Sequence, residues 1–177
     1  MQGWSKIVQK VDGFNTRIGK LVAWLQLPLM VIIIFDVVFR RFLNVGSVML
    51  QELEWHLHAV LFLFTAAYAY QCDAHVRIDI VRNRLSGRAR NWIELIGCLI
   101  FLIPYTAIVV WLGIGFVERS WGLGEISDAP GGLPYRWIIK SSIPLAFLLL
   151  FLQGWSVALR TIIQLFDRKP RYGGVDA

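Results

Sequence analysis

The sequence predicts an all-α membrane protein with four transmembrane helices, an N-terminal amphipathic helix on the membrane surface, and both ends in the cytoplasm. Hydrophobic residues make up 56% of the 177 residues and charged residues only 17%, which is more apolar than a typical soluble domain. The apolar residues are concentrated in four runs, each long enough to cross the hydrocarbon of a bilayer. Lysine and arginine are distributed unevenly between those runs. We expect residues 1–177 to form a single membrane domain.

Residues 4–18 are predicted to form the interfacial helix. Its apolar side chains can enter the acyl boundary of the membrane while its lysines reach anionic headgroups. The alternative is that this segment simply continues the first spanning helix into water. The segment is too polar for a cleavable signal peptide, so we expect it to remain attached. The residues that set this pattern at helical spacing are Trp4, Ile7, Val8, Val11, Phe14 and Ile18, with Lys6, Lys10 and Arg17 between them.

The first spanning run contains two residues that are unusual in hydrocarbon, Pro28 and Asp36. Proline in a spanning helix is tolerated where neighbouring groups satisfy the freed carbonyl, so we expect a kink at Pro28. Arg40 follows Asp36 by four residues on the same helical face, and we expect the two to form an ion pair at the interface. The predicted spans are about 21–39, 53–71, 92–116 and 134–160.

Orientation follows from the positions of lysine and arginine, because these residues are retained in the cytoplasm. The N-terminal segment contains four, the connection 72–91 contains five, and the C-terminal end contains four of the 18. The sequence therefore predicts both ends and the middle connection on the cytoplasmic side. The side chains expected to anchor the protein at anionic headgroups are Lys6, Lys10, Arg82, Arg84, Arg88, Arg90 and Arg160.

The entrance of the second span carries two acids and two histidines. Glu52 and His56 share one helical face, and Glu54 and His58 share another, so each pair could form a hydrogen bond or contribute to a metal site. The two faces point about 200° apart around the helix axis, and His75, the third histidine, is predicted on the opposite side of the membrane. We therefore expect no metal, haem or other cofactor. Acids and histidines at a helix N-terminus instead complement the helix dipole.

Other classes of function lack their sequence signatures. No Ser-His-Asp set, phosphate-binding glycine loop or redox cysteine pair is present, so we do not expect an enzyme. The formal net charge of +6 comes from residues that flank apolar runs, which does not indicate a nucleic-acid surface. Cys72 and Cys98 are expected to be unpaired packing residues.

Four short motifs occur in a fixed order along the predicted four-helix layout: FRRFLN at 39–44, QELEW at 51–55, DAHVRID at 73–79, and PGGLPYRWIIK at 130–140, before Ile143–Pro144. In this order and at these distances, the chain resembles the DctQ-type small membrane subunit of tripartite ATP-independent periplasmic (TRAP) transporters. The likeness covers nearly all four predicted helices. The family pattern places two acids next to each other, whereas Leu53 separates Glu52 from Glu54 here, so either carboxylate could match the family position.

The resemblance implies a small scaffold subunit in the bacterial inner membrane. Its partners would be a large membrane subunit, which holds the substrate and sodium sites, and a soluble periplasmic protein, which captures an organic acid. The Gly/Pro segment from Gly122 to Pro134 faces the periplasm in the predicted topology, where we expect it to contact one of them; an inert loop is the alternative. The interface candidates are Arg40, Glu52, Glu54, Trp55, Asp73, His75, Arg77, Asp79, Pro130, Gly131, Gly132, Arg136 and Lys140.

Two other classes of function remain open at this point. One is a membrane anchor of a redox complex that binds haem or quinone, and the other is a channel or transporter that acts alone. The second would normally show rows of acids or Gly/Pro-broken helices repeated in two halves, which this sequence lacks.

Overall fold

The computed structural model describes residues 2–44, 46–72 and 85–166, and every regular element within these ranges is helical. The predicted all-α class is therefore confirmed. A π-helical segment, Gly97–Leu102, joins α4 to α5. The helices are α1 (Gln2–Ala23), α2 (Gln26–Phe42), α3 (Val48–Gln71), α4 (Gly87–Ile96), α5 (Ile103–Gly122) and α6 (Trp137–Phe166).

The first two helices are separated only by a tight turn at Trp24 and Leu25. Pro28 accounts for this turn, because a proline ring collides with the carbonyl four residues earlier, here that of Trp24. The backbone contracts locally, with the amides of Leu25 and Leu27 donating to the carbonyls three residues before them at 2.9 and 3.2 Å. The expected kink is thus present just upstream of Pro28.

Proline also explains the π-helical segment. Pro104 lies directly after it, near the start of α5, and its ring would collide with the carbonyl of Ile100 in a regular α-helix. Widening the preceding turn relieves that collision, and π-segments of this kind occur inside otherwise continuous helices. The stretch from Gly87 to Gly122 therefore remains one long helical column.

Local capping explains where α3 and α4 begin. The hydroxyl of Ser47 accepts the Leu50 amide at 3.4 Å, and the hydroxyl of Ser86 accepts the Ala89 amide at 3.3 Å. In each case the serine side chain caps the helix, because it accepts a hydrogen bond from a backbone amide that has no partner within the first turn. At the other end of α5, Gly124 adopts a left-handed conformation with φ +57°, which commonly terminates a helix.

Within the described ranges, the helices form four columns that alternate in direction: α1 with α2, α3, α4 through α5, and α6. Gly19 lies against Tyr68 and Thr16 bonds to Gln71, so α1 and α3 are antiparallel. Gly113 lies against Pro144, and Gly154 lies against Leu102, so α5 and α6 are also antiparallel. Helix α6 is the most central element, since it contacts α1, α3, α4, the π-segment and α5.

Three stretches within the described residues are long and apolar enough to cross a membrane: Trp4–Phe42, Gly87–Gly122 and Trp137–Phe166. The remaining column, α3, has 24 residues, which is long enough to span, but its first half carries Glu52, Glu54 and two histidines. The four-span arrangement and its orientation therefore remain predictions.

The N-terminal helix differs from its predicted boundaries. A break was expected near residues 18–21, but α1 continues to Ala23. Its inner side packs against α3 and α6, with Val8, Asn15 and Val22 buried. Lys6 and Lys10 are exposed, so an interfacial position for the outer side of α1 stays a prediction. The Trp4–Phe42 column has 39 residues, about 58 Å at the helical rise, which exceeds the thickness of a hydrocarbon core of about 30 Å.

Candidate functional site

The carboxylate of Glu52 holds the loop between α5 and α6 against the start of α3. Glu52 is buried and accepts hydrogen bonds from the hydroxyl of Ser127, the backbone amide of Leu133 at 2.6 Å and the guanidinium of Arg136 at 3.2 Å. A carboxylate that accepts from several donors, one of them charged, forms comparatively strong bonds. Three separate points of the loop are thus fixed to one side chain, and residues 123–136 are called the anchored loop below.

Two glycines allow the anchored loop to approach Glu52. Gly131 adopts φ +77°, a left-handed conformation that costs little only for glycine. A Cβ atom on Gly132 would lie 2.8 Å from an oxygen of Glu52 and would also collide with Ser127. The loop therefore turns at these glycines, and the turn is shaped by close contact with α3.

A second ion pair fixes the base of the anchored loop. Lys140 in the first turn of α6 donates to the carboxylate of Glu125, and its ammonium also lies 4.2 Å from the ring centroid of Phe116. The hydrogen bond from Lys140 holds the pKa of Glu125 below its usual value. Because the pKa is lowered in the folded state, this pair stabilises the loop at neutral pH, and that contribution is lost as Glu125 becomes protonated at acidic pH.

The loop presents apolar side chains outward even though it is tightly held. Leu123 is 74% exposed, Ile126 65% and Tyr135 64%. Tyr135 also has φ +59°, which is uncommon for a residue with a Cβ atom. A rigid loop that displays apolar groups is better suited to contact another molecule than to perform chemistry.

The acidic and histidine cluster of α3 does not form the paired sites considered from the sequence. The ring of His56 bonds to the backbone carbonyl of Glu52, not to its carboxylate, and Trp55, which is exposed, stacks on that ring. One carboxylate oxygen of Glu54 is buried without a hydrogen-bond partner among the described residues. No group of three potential metal ligands occurs in the described ranges.

Arg40 and Asp36 form the predicted ion pair on α2, with Asp36 fully buried. Arg88 is exposed at the start of α4, and Arg90 is partly buried. The candidates Asp73, His75, Arg77, Asp79, Arg82 and Arg84 lie outside the described residues, so their proposed roles stay predictions.

A buried polar network that the sequence analysis did not identify joins α1 to α6. The carboxylate of Asp12 accepts from Gln153 at 3.0 Å, from Ser156 at 2.8 Å, and from Arg160. The amide of Asn15 donates to Gln153 at 2.6 Å. Arg160, expected to act as a membrane anchor, thus also pairs with α1; whether it reaches headgroups as well stays a prediction.

A sequence signal for this network exists, although it is weak. Asp12, Asn15 and Gly19 are spaced at i, i+3 and i+7, and so are Gln153, Ser156 and Arg160, which places each set on one helical face. Gln153 also stands out as an uncharged polar residue inside a predicted span. By contrast, no local pattern identifies Ser127 as the partner of Glu52, because 75 residues separate them.

Comparison with protein families gave a match that covers most of the chain. The family model described as "Tripartite ATP-independent periplasmic transporters, DctQ component" matches residues 29–167. Comparison with curated proteins gave no match. The matched range begins in α2 and includes Glu52, the anchored loop and α6.

Proposed function

Because this chain belongs to the DctQ family of TRAP transporter components, we propose that it is the small scaffold subunit of a complex that imports an organic acid with a sodium gradient. A DctQ protein is a transporter component and not an enzyme, and the chain is a multi-pass membrane protein. The proposed partners are a large membrane subunit and a periplasmic substrate-binding protein, and the proposed location is the bacterial inner membrane.

The family match over residues 29–167 carries this proposal. A scaffold needs an apolar surface for lipid, a fixed surface for its partners, and charged groups that hold its depth in the membrane. Large apolar residues are exposed along α2 and α5, which suits lipid or a partner helix. The anchored loop provides a rigid, partly apolar surface at one end of the bundle, which suits a protein partner.

The redox-anchor alternative has less support. A haem held between helices requires axial ligands such as histidines on facing helices. The two histidines among the described residues, His56 and His58, both lie on α3. A family of transporter components does not predict such a cofactor.

Reconstitution of the complex tests the proposed function. We expect liposomes containing the large subunit, the binding protein and this chain to accumulate an organic acid when a sodium gradient is applied. Omitting this chain should reduce uptake to background, and this chain alone should give none. Sodium-driven uptake by this chain alone would contradict the scaffold role, and a haem absorption band in the purified chain would favour the redox alternative.

Cysteine labelling tests the proposed orientation. In a Cys72→Ser background, a membrane-impermeant maleimide added to intact cells should label Asp128→Cys in the anchored loop. It should label Ser86→Cys, at the start of α4, only after the membrane is opened. Both positions are exposed, so access to the side chain is matched. If intact cells showed labelling of Ser86→Cys but not of Asp128→Cys, the topology would be the reverse of the one proposed.

A further inference from the structure

A groove along the side of α5 has the dimensions of one lipid acyl chain. Its volume is about 550 Å³, and it runs from Val109 to Arg119, with Ile143 of α6 on one side. Ten residues of helix extend about 15 Å, which is half of a hydrocarbon core of about 30 Å. The groove therefore covers the depth of a single leaflet.

Glycines create the groove. Gly113 brings α5 and α6 into close contact, since a Cβ atom there would lie 3.1 Å from Pro144. Gly115 lies two residues further along, and a Cβ atom there would meet no atom within 4 Å. The absence of a side chain at Gly115 leaves a channel beside the flanking residues Trp111, Leu112 and Phe116.

The charge in the groove is confined to one end. Arg119 is the one charged residue that lines it, and among the described residues none forms an ion pair or hydrogen bond with the Arg119 guanidinium. Other charges lie close to this end of the groove. Glu118 is the adjacent exposed residue on α5, and Lys140, whose ammonium lies 4.2 Å from the ring centroid of Phe116, is paired with Glu125. An unpaired guanidinium at the end of an apolar groove is complementary to a phosphate attached to a hydrocarbon chain.

We propose that this groove binds one phospholipid, with its phosphate on Arg119 and one acyl chain over Gly115. The groove lies inside a stretch that is long and apolar enough to span a membrane, so its surface is suited to contact with lipid. The length of the groove, which matches one leaflet, and the single cation at one end favour a lipid over a partner helix, which would cover both leaflets. The site does not depend on the transport assignment.

Lipid binding to the purified full-length chain tests this site. Delipidated protein is titrated with phosphatidylglycerol and analysed by native mass spectrometry. Arg119→Ala should weaken binding about fivefold, since a cation near the membrane surface contributes roughly 1 kcal/mol. Gly115→Leu fills the channel and should weaken binding by roughly tenfold or more. Diacylglycerol lacks the phosphate. It should therefore bind the wild-type protein less tightly than phosphatidylglycerol does, and Arg119→Ala should not change the affinity for diacylglycerol.

Matched controls make the outcome specific. Arg41→Ala removes an exposed arginine from the end of α2, and Gly122→Leu adds the same bulk at a glycine of α5 that also has open space around it. Both variants should bind phosphatidylglycerol like the wild type. Equal binding by Arg119→Ala and Arg41→Ala would overturn the proposal, even if Gly115→Leu failed to fold. So would efficient cross-linking of Gly115→Cys, in the Cys72→Ser background, to the large subunit or to a second copy of this chain.

Discussion

Replacing Glu52 with glutamine is expected to release the anchored loop from α3. The substitution keeps the size of the side chain but removes the charge that Arg136 pairs with, and it places an amide where two oxygens accept from Ser127 and Leu133. Backbone amides of the loop should then exchange with solvent roughly ten- to hundredfold faster, because charge-assisted bonds to the backbone are lost. Hydrogen–deuterium exchange of residues 123–136 measures this change.

The matched control for this experiment is Glu54→Gln, which removes the same charge from the same helix. Glu54 makes no described hydrogen bond through its buried oxygen, so exchange in the anchored loop should remain at the wild-type rate. Gly132→Ala is a second, independent way to disturb the loop, because its Cβ atom would press against Glu52 and Ser127. If Glu52→Gln left exchange unchanged while Gly132→Ala accelerated it, the hydrogen bonds of Glu52 would not be what fixes the loop.

The second large effect is expected where α1 crosses α3. A Cβ atom on Gly19 would lie 2.6 Å from Cβ of Tyr68 and 2.8 Å from its Cγ. Both atoms are close to the backbone and cannot move aside as the end of a long side chain could. Gly19→Ala should therefore destabilise the protein by about 1–3 kcal/mol through overpacking, despite the better helix propensity of alanine.

Gly13 on the same helix provides the control. A Cβ atom there would meet nothing within 4 Å, so Gly13→Ala should be neutral or stabilising by up to about 1 kcal/mol. Thermal unfolding of the two variants in one detergent measures the difference. Equal melting temperatures for the two alanine variants would show that α1 does not pack against α3 as described.

Several local features of the fold were predictable from the sequence. Pro28 indicated the kink between α1 and α2, and the i, i+4 spacing of Asp36 and Arg40 indicated their ion pair. Both depend on residues within one turn of each other, where helix geometry alone determines which atoms meet. The long apolar runs were also predictable, because their length and composition suffice to identify them.

The partners of Glu52 could not be predicted in this way. Its role depends on Ser127, Leu133 and Arg136, which reach it only because α3 and α6 run side by side in the same direction. A pattern of charges within α3 suggested Glu52–His56 pairing, but the loop supplies more donors than the imidazole does. The continuation of α1 to Ala23 was missed because exposed lysines conceal the buried side formed by Asn15 and Gly19.

The polar network between α1 and α6 has a consequence for biosynthesis. Asp12 and Asn15 are translated before their partners, which lie 138 to 148 positions later in the chain. At a translation rate of about 5–20 residues per second, Gln153 and Arg160 are synthesised on the order of 10 s after Asp12 and Asn15. During that interval α1 has polar groups without their final partners, so the column of α1 and α2 can complete its packing only after α6 has been translated.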